Sequence, residues 1–123
     1  MRETEFKREM LERAGGGLTI EEVKARLRYD STLSVFDAAE SRLLLAVDDD
    51  GTKLFPAFQF DGDQIHSGMR EILEITQNAS AWAILQYMVE GDEGLGSDLP
   101  MHLIRQGDEA VERAVRFAHT LVT

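Results

Sequence analysis

The chain has 123 residues, 13 Lys or Arg against 23 Asp or Glu, a formal net charge of −10, 43% hydrophobic residues and no cysteine. That length supports one compact unit or two very small ones; the composition is too apolar for a disordered chain; and the lack of cysteine excludes a disulfide framework, a thiolate metal site and a cysteine nucleophile. The acidic balance opposes strong nucleic-acid binding, which rests on Lys and Arg neutralising phosphates.

Neither half of the chain is basic. Up to Asp61 there are nine basic and thirteen acidic residues; beyond it there are four and ten. There is no run of about 18 apolar residues, so no membrane span is expected. The opening MRETEFKREM is charged throughout and does not read as a secretory signal, so the expected compartment is the cytoplasm.

Residues 3–14 predict a polar helix with Phe6, Met10 and Arg13 near one face and Leu11 beside it. Its weak apolar face leaves two outcomes, packing on a neighbouring chain or fraying. Gly15, Gly16 and Gly17 end it. Thr19 and Glu22 form a capping box for a short helix that ends near Arg28. A second short helix follows at 32–41, capped by Asp30 or Ser31, with Leu33, Phe36 and Ala39 at helical spacing. Two short helices around a tight turn make a helix-turn-helix pattern.

The run RLLLAV at 42–47 and the segment TKLFPAFQF at 52–60 flank an Asp-Gly step, which predicts a β-hairpin near residues 43–58. Pro56 cannot donate to a ladder, so the second strand is expected to be short and at an edge. Asp61, Gly62 and Asp63 form a turn. Helices follow at about 67–76, with Met69, Ile72, Leu73 and Ile75 apolar, and at about 80–89, with Trp82, Leu85, Met88 and Val89 apolar. Trp82 is expected to anchor the core of the C-terminal helices. Pro100 starts a short helix, Gly107 stops it, and Asp108 caps the last helix.

Few residues suggest chemistry. Asp48, Asp49 and Asp50 lack the longer loop and closing glutamate of an EF-hand and read as a solvated turn. Asp61, Asp63 and His66 read the same way. His102 and His119 read as surface or packing residues. The glycines at 91–96 have no following Lys-Ser/Thr and no preceding strand, so they are no phosphate loop. No catalytic, metal or cofactor residues are assigned, and an enzyme is not expected.

Three stretches together resemble the Xre/MbcA/ParS group of antitoxins, the partners of RES-domain toxins. They are LTIEEVKARL, RLLLAV with GTKLFPAFQFDGDQIHSGMREIL, and AWAILQYMVEGDEGLGSDLPMHLIRQGDEAVERAV, covering about residues 18–117. The more specific pieces are LFPAFQFD at 54–61 and the order Trp82, Leu95, Pro100 and Gly107. Gly91, Asp92 and Ser97 depart from the proline, asparagine and glycine common in the group.

The helical spacing on both sides of the Asp-Gly turn predicts a mainly α fold of about six or seven short helices and one hairpin: an N-terminal helix-turn-helix-like unit with a short β-hairpin, then a small C-terminal helical bundle. Boundaries on this reading are 1–17 for an N-terminal helix and Gly-rich linker, 18–61 for the helix-turn-helix-like unit with its hairpin, and 62–123 for a helical toxin-binding domain. The resemblance implies an antitoxin of a type II toxin-antitoxin system that binds a RES-domain, NAD-consuming toxin and covers its active site, works as a homodimer and needs no cofactor. The alternative is a DNA-binding transcriptional regulator, an operon autorepressor among the options. Its contacts would be Lys24, Arg26, Arg28 and Arg42, and weak binding is expected because Asp37 and Glu40 share the second helix. The expected toxin-binding residues are Arg113, Arg116, His119, Thr120, Val122 and Thr123. The arginines would pair with an acidic rim, and the terminal carboxylate would mimic a pyrophosphate oxygen. Deleting 117–123 is then expected to abolish neutralisation in a chain that still folds.

Overall fold

The structure is a computed structural model and describes residues 3–122. The expected mainly helical class holds: seven α-helices and a few short antiparallel strands lie among the described residues. Helix α1 (Glu3–Arg13) closes on a Schellman turn. There the Gly16 N–H donates to the Leu11 carbonyl at 2.8 Å and the Gly15 N–H to the Glu12 carbonyl at 3.1 Å. Gly15 has φ +90°, a conformation that costs a residue with a Cβ.

Gly17–Leu18 forms β1, and α2 (Ile20–Leu27) follows. The expected capping box is present. The Glu22 N–H donates to Thr19 Oγ1 at 3.2 Å, and the Thr19 N–H donates to Glu22 Oε1 at 3.0 Å. These bonds to Thr19 hold the Glu22 carboxyl below its ordinary range. A four-residue turn leads to α3 (Thr32–Glu40), with Ser31 as its cap, and α2 packs on α3.

The hairpin differs from expectation. Its strands are β2 (Val47–Asp49) and β3 (Thr52–Pro56), joined at Asp50-Gly51. Residues 42–46 are irregular backbone. Arg42 takes a left-handed conformation (φ +63°) that ends α3, so the strand cannot begin there. Nor is β3 an edge. It lies between β1 and β2, with Gly17 opposite Pro56 and Leu18 opposite Phe55. Pro56 is tolerated because it ends the strand; the adjoining ladder bond runs from the Ala57 N–H to the Gly16 carbonyl at 2.9 Å.

This small sheet divides two cores. Leu45, Val47 and Leu54 face the larger core, whereas Leu44, Ala46 and Phe55 face the smaller one. Within β3, alternation sends Leu54 and Phe55 to opposite sides, and both sides are covered. Residues 44–46, although irregular, also pack on both cores, which is why the run LLLAV is continuously apolar. The smaller core adds Val23 from α2, Val35 and Ala38 from α3, and Phe60.

Strands β4 (Phe60–Asp61) and β5 (Gln64–Ile65) make a second, tight hairpin. The remaining helices are α4 (Gly68–Ile75), α5 (Ala81–Glu90), α6 (Pro100–Leu103) and α7 (Asp108–Ala118). They build the larger core, and α1 joins them: Met10 and Ala14 are buried in it and α1 packs on α5. The N-terminal helix thus packs within its own chain. Gly68 brings α4 close to α7, since a Cβ there would lie 2.8 Å from Val111 Cγ2. Among the described residues no helix is long and apolar enough to cross a membrane.

Candidate interaction site

Helix α5 ends where Gly91 donates its N–H to the Tyr87 carbonyl at 2.8 Å. The chain then makes one short turn at Glu93–Leu95. Asp92 caps it, its carboxylate accepting from the Gly94 N–H at 2.8 Å. Leu95 drops into the larger core. Gly94 lies against the Phe117 ring of α7, and a Cβ at that position would overlap the ring. Arg113 of α7 reaches back to Asp98 at 3.1 Å. Tyr87 donates its hydroxyl to the Ala114 carbonyl at 2.6 Å. Burial, with the Asp92 carboxylate adding to it, pushes that phenol above its ordinary range. Loop 91–99 is therefore fastened to α7 at several points and presents one continuous surface with it.

The residues that carry the resemblance take structural posts. Leu95 and Pro100 are buried, and Pro100 opens α6 as its first residue. Gly107, at φ +103°, sits at the N-cap of α7. Asp108 is the first residue inside that helix and not its cap, so it stabilises the positive helix end by charge alone. Trp82 packs against the larger core as expected, but from its edge: it is half-buried and also contacts α1 and the hairpin. Its Nε1–H donates to the Asp48 carbonyl at 3.1 Å, Phe6 lies 6.5 Å away between ring centroids, and the Lys7 ammonium stands 5.4 Å over the ring.

The expected toxin-binding residues divide into groups. Arg113 is paired with Asp98, whereas Arg116 and His119 are exposed on the outer side of α7 and just past its end. Thr120 and Val122 fall in the closing turn His119–Val122, and Thr123 lies outside the described residues. The same segment is also core: Ala118 is fully buried, and Phe117 and Leu121 pack on the larger core. Deleting 117–123 would remove packing as well as surface, so point substitutions at Arg116 and His119 are the cleaner probe.

Of the expected DNA contacts, Lys24 and Arg26 lie on α2, Arg28 at its end, and Arg42 just beyond α3. Arg28 pairs with Asp63 at 3.6 Å, and the Arg26 guanidinium lies 5.8 Å over the Phe60 ring. Lys24 is half-buried on α2. Arg42 is committed elsewhere, donating from Nε and Nη2 to the Leu73 carbonyl at 2.9 and 2.6 Å. It thereby satisfies a carbonyl near the negative end of α4. The outward positions of α3 are Leu33, Phe36, Asp37 and Glu40.

His66 accepts from Arg105 Nε at 3.1 Å, which requires a lone pair on its Nε2. Partial burial and the Arg105 charge hold its pKa below the ordinary value, with Asp61 opposing. Among the described residues no three His, Asp or Glu side chains come together as metal ligands.

Sequence reasoning missed Gly94, Asp98 and Gln59. Gln59 stood in view as a polar residue inside the apolar run FPAFQF; nothing local marked the other two. Comparison with protein families, with curated proteins and with solved structures returns no match for this chain.

Proposed function

We propose that this chain is an antitoxin that binds a RES-domain, NAD-consuming toxin and neutralises it by covering its active site, with the surface of loop 91–99 and α7 as the contact. The observation that supports this reading is the fastening of that loop to α7 through Gly94, Leu95 and the Arg113–Asp98 pair. A surface held in its bound shape loses little conformational entropy on association. The buried or backbone roles of Leu95, Pro100 and Gly107 suit a binding scaffold. The proposed partner contacts are Arg116 and His119, with Asp92 and Glu93 at the loop edge.

The test is growth rescue on co-expression with a RES-domain enzyme encoded beside this chain. R116S/H119S is expected to lose rescue while its circular dichroism still shows the folded chain, because both side chains are exposed. Full rescue by the folded variant would move the contact away from α7.

The alternative, a DNA-binding regulator, draws on the packing of α2 against α3 across a four-residue turn. Asp37 and Glu40 on α3 oppose phosphate, and Arg42 is spent on Leu73. The chain is expected not to shift its own promoter fragment at nanomolar concentration in about 150 mM salt. A shift there would favour the regulator.

A further inference from the structure

Helix α3 buries Val35 and Ala38 against the smaller core and turns Leu33, Phe36, Asp37 and Glu40 outward. Leu33 is 70% exposed and Phe36 41%, and these are the large apolar side chains most open to solvent among the described residues. One helical turn separates them, so they share a face. The helix itself is held firmly. Ser31 caps its start, and the residue that ends it, Arg42, is clamped to the Leu73 carbonyl.

Beside Phe36 a cavity of about 220 Å³ opens between α3 and the helices α4 and α5. Phe36 and Ala39 of α3, Leu44, Phe55 of β3, Leu73 of α4 and Ile84 of α5 are among its lining. An exposed apolar pair beside an apolar-lined cavity has the form of a helix-receiving groove.

The charges choose the occupant. Asp37 and Glu40 continue the exposed stripe, Asp30 stands exposed before the helix, and Glu40 reaches the cavity mouth. Lys53 and Arg42 are the cations at the cavity, and Arg42 keeps its charge while it donates to the neutral Leu73 carbonyl, so the acidic surface is the outward stripe of Asp30, Asp37 and Glu40 and not the cavity lining. A nucleic acid would set phosphates against the carboxylates. A second copy would bring its own Asp37 and Glu40 to a contact between chains that each carry a net charge of −10. Like charges across an interface select against such a partner.

We propose that the outward face of α3 and the cavity beside Phe36 form a docking groove for an amphipathic helix of a partner protein, one that presents bulky apolar side chains flanked by Lys or Arg. This groove is separate from the α7 surface and does not depend on the toxin reading. The helix-turn-helix then serves protein recognition, with its second helix as the contact element.

The probe is a designed amphipathic helical peptide of Leu and Lys, compared with its Leu and Glu counterpart by fluorescence anisotropy. The Lys peptide is expected to bind the full chain, and the Glu peptide to bind at least about tenfold more weakly. L33S/F36S is expected to weaken the Lys peptide by about tenfold or more. D37N/E40Q is expected to weaken it and to flatten its salt dependence. Circular dichroism checks that both variants fold, since the altered side chains face outward. Equal binding of the Lys peptide to the full chain and to L33S/F36S would overturn the proposal, leaving only attraction to an acidic protein. Self-association of the full chain in sedimentation, abolished by L33S/F36S, would overturn it in favour of a second copy.

Discussion

Replacing Gln59 by leucine is expected to lower the unfolding free energy by about 3–4 kcal/mol. Gln59 is fully buried. Its Oε1 accepts from the Leu45 N–H at 2.8 Å, and its Nε2 donates to the carbonyls of Leu45 and Pro56 at 2.9 and 3.0 Å. The amide stands in for a missing β-strand, pairing with both backbone groups of Leu45 where residues 42–46 have no ladder partner. Leucine has nearly the same bulk and preserves the apolar packing, so the loss isolates the hydrogen bonds. Each backbone group left unpaired in the interior costs about 1–3 kcal/mol. The measurement is urea unfolding followed by circular dichroism. A midpoint unchanged from the parent chain would mean that Leu45 finds other partners.

Gly94→Ala is expected to destabilise the chain by about 1–3 kcal/mol through overpacking. The added methyl would overlap the Phe117 ring, which is itself held by the larger core. The diagnostic is the double variant. Phe117→Ala alone leaves a gap beside the loop, and in Gly94→Ala/Phe117→Ala the new methyl has room. The two losses should therefore sum to more than the loss in the double variant, with a coupling of about 1 kcal/mol or more. Additive losses would show that loop 91–99 moves aside and that its attachment to α7 is loose. The proposed toxin contact relies on that attachment, so rescue by Gly94→Ala should fall along with stability.

The legible part of the fold was local. The Thr19–Glu22 capping box, the Asp-Gly turn at 50–51, Pro100 at a helix start and the helical spacing of Met69, Ile72 and Leu73 each depend on neighbours within a turn or two. Such signals survive in the sequence because backbone hydrogen bonding and side-chain periodicity act over three or four residues. For the candidate site, Leu95, Pro100 and Gly107 were legible on the resemblance and proved to be structural posts. For the last helix the spacing marked Val111 and Ala118 as inward, which holds, whereas the burial of Ala114 and the exposure of Arg116 and His119 came from the structure.

Arg42 and Trp82 were visible as residues but not as connections. Arg42 looked like a phosphate contact and instead holds Leu73, which lies 31 positions along the chain. Trp82 looked like an anchor among its following helices; it packs on their core and also holds Asp48, which lies 34 positions away. Gly17 looked like the end of a linker and Leu18 like the approach to a helix, and together they became an edge strand, which moved β3 to the centre of its sheet. By itself, the sequence determined where helices start and stop, where the chain turns, and that its charge is acidic throughout. Tertiary structure alone decided the strand order, the split into two cores with the sheet between them, the docking of α1 onto α5, and the outward turn of Leu33 and Phe36. Those outcomes depend on which distant surfaces come together. Many small burial terms, summed over contacts far apart in the chain, make that choice, and no local pattern records it.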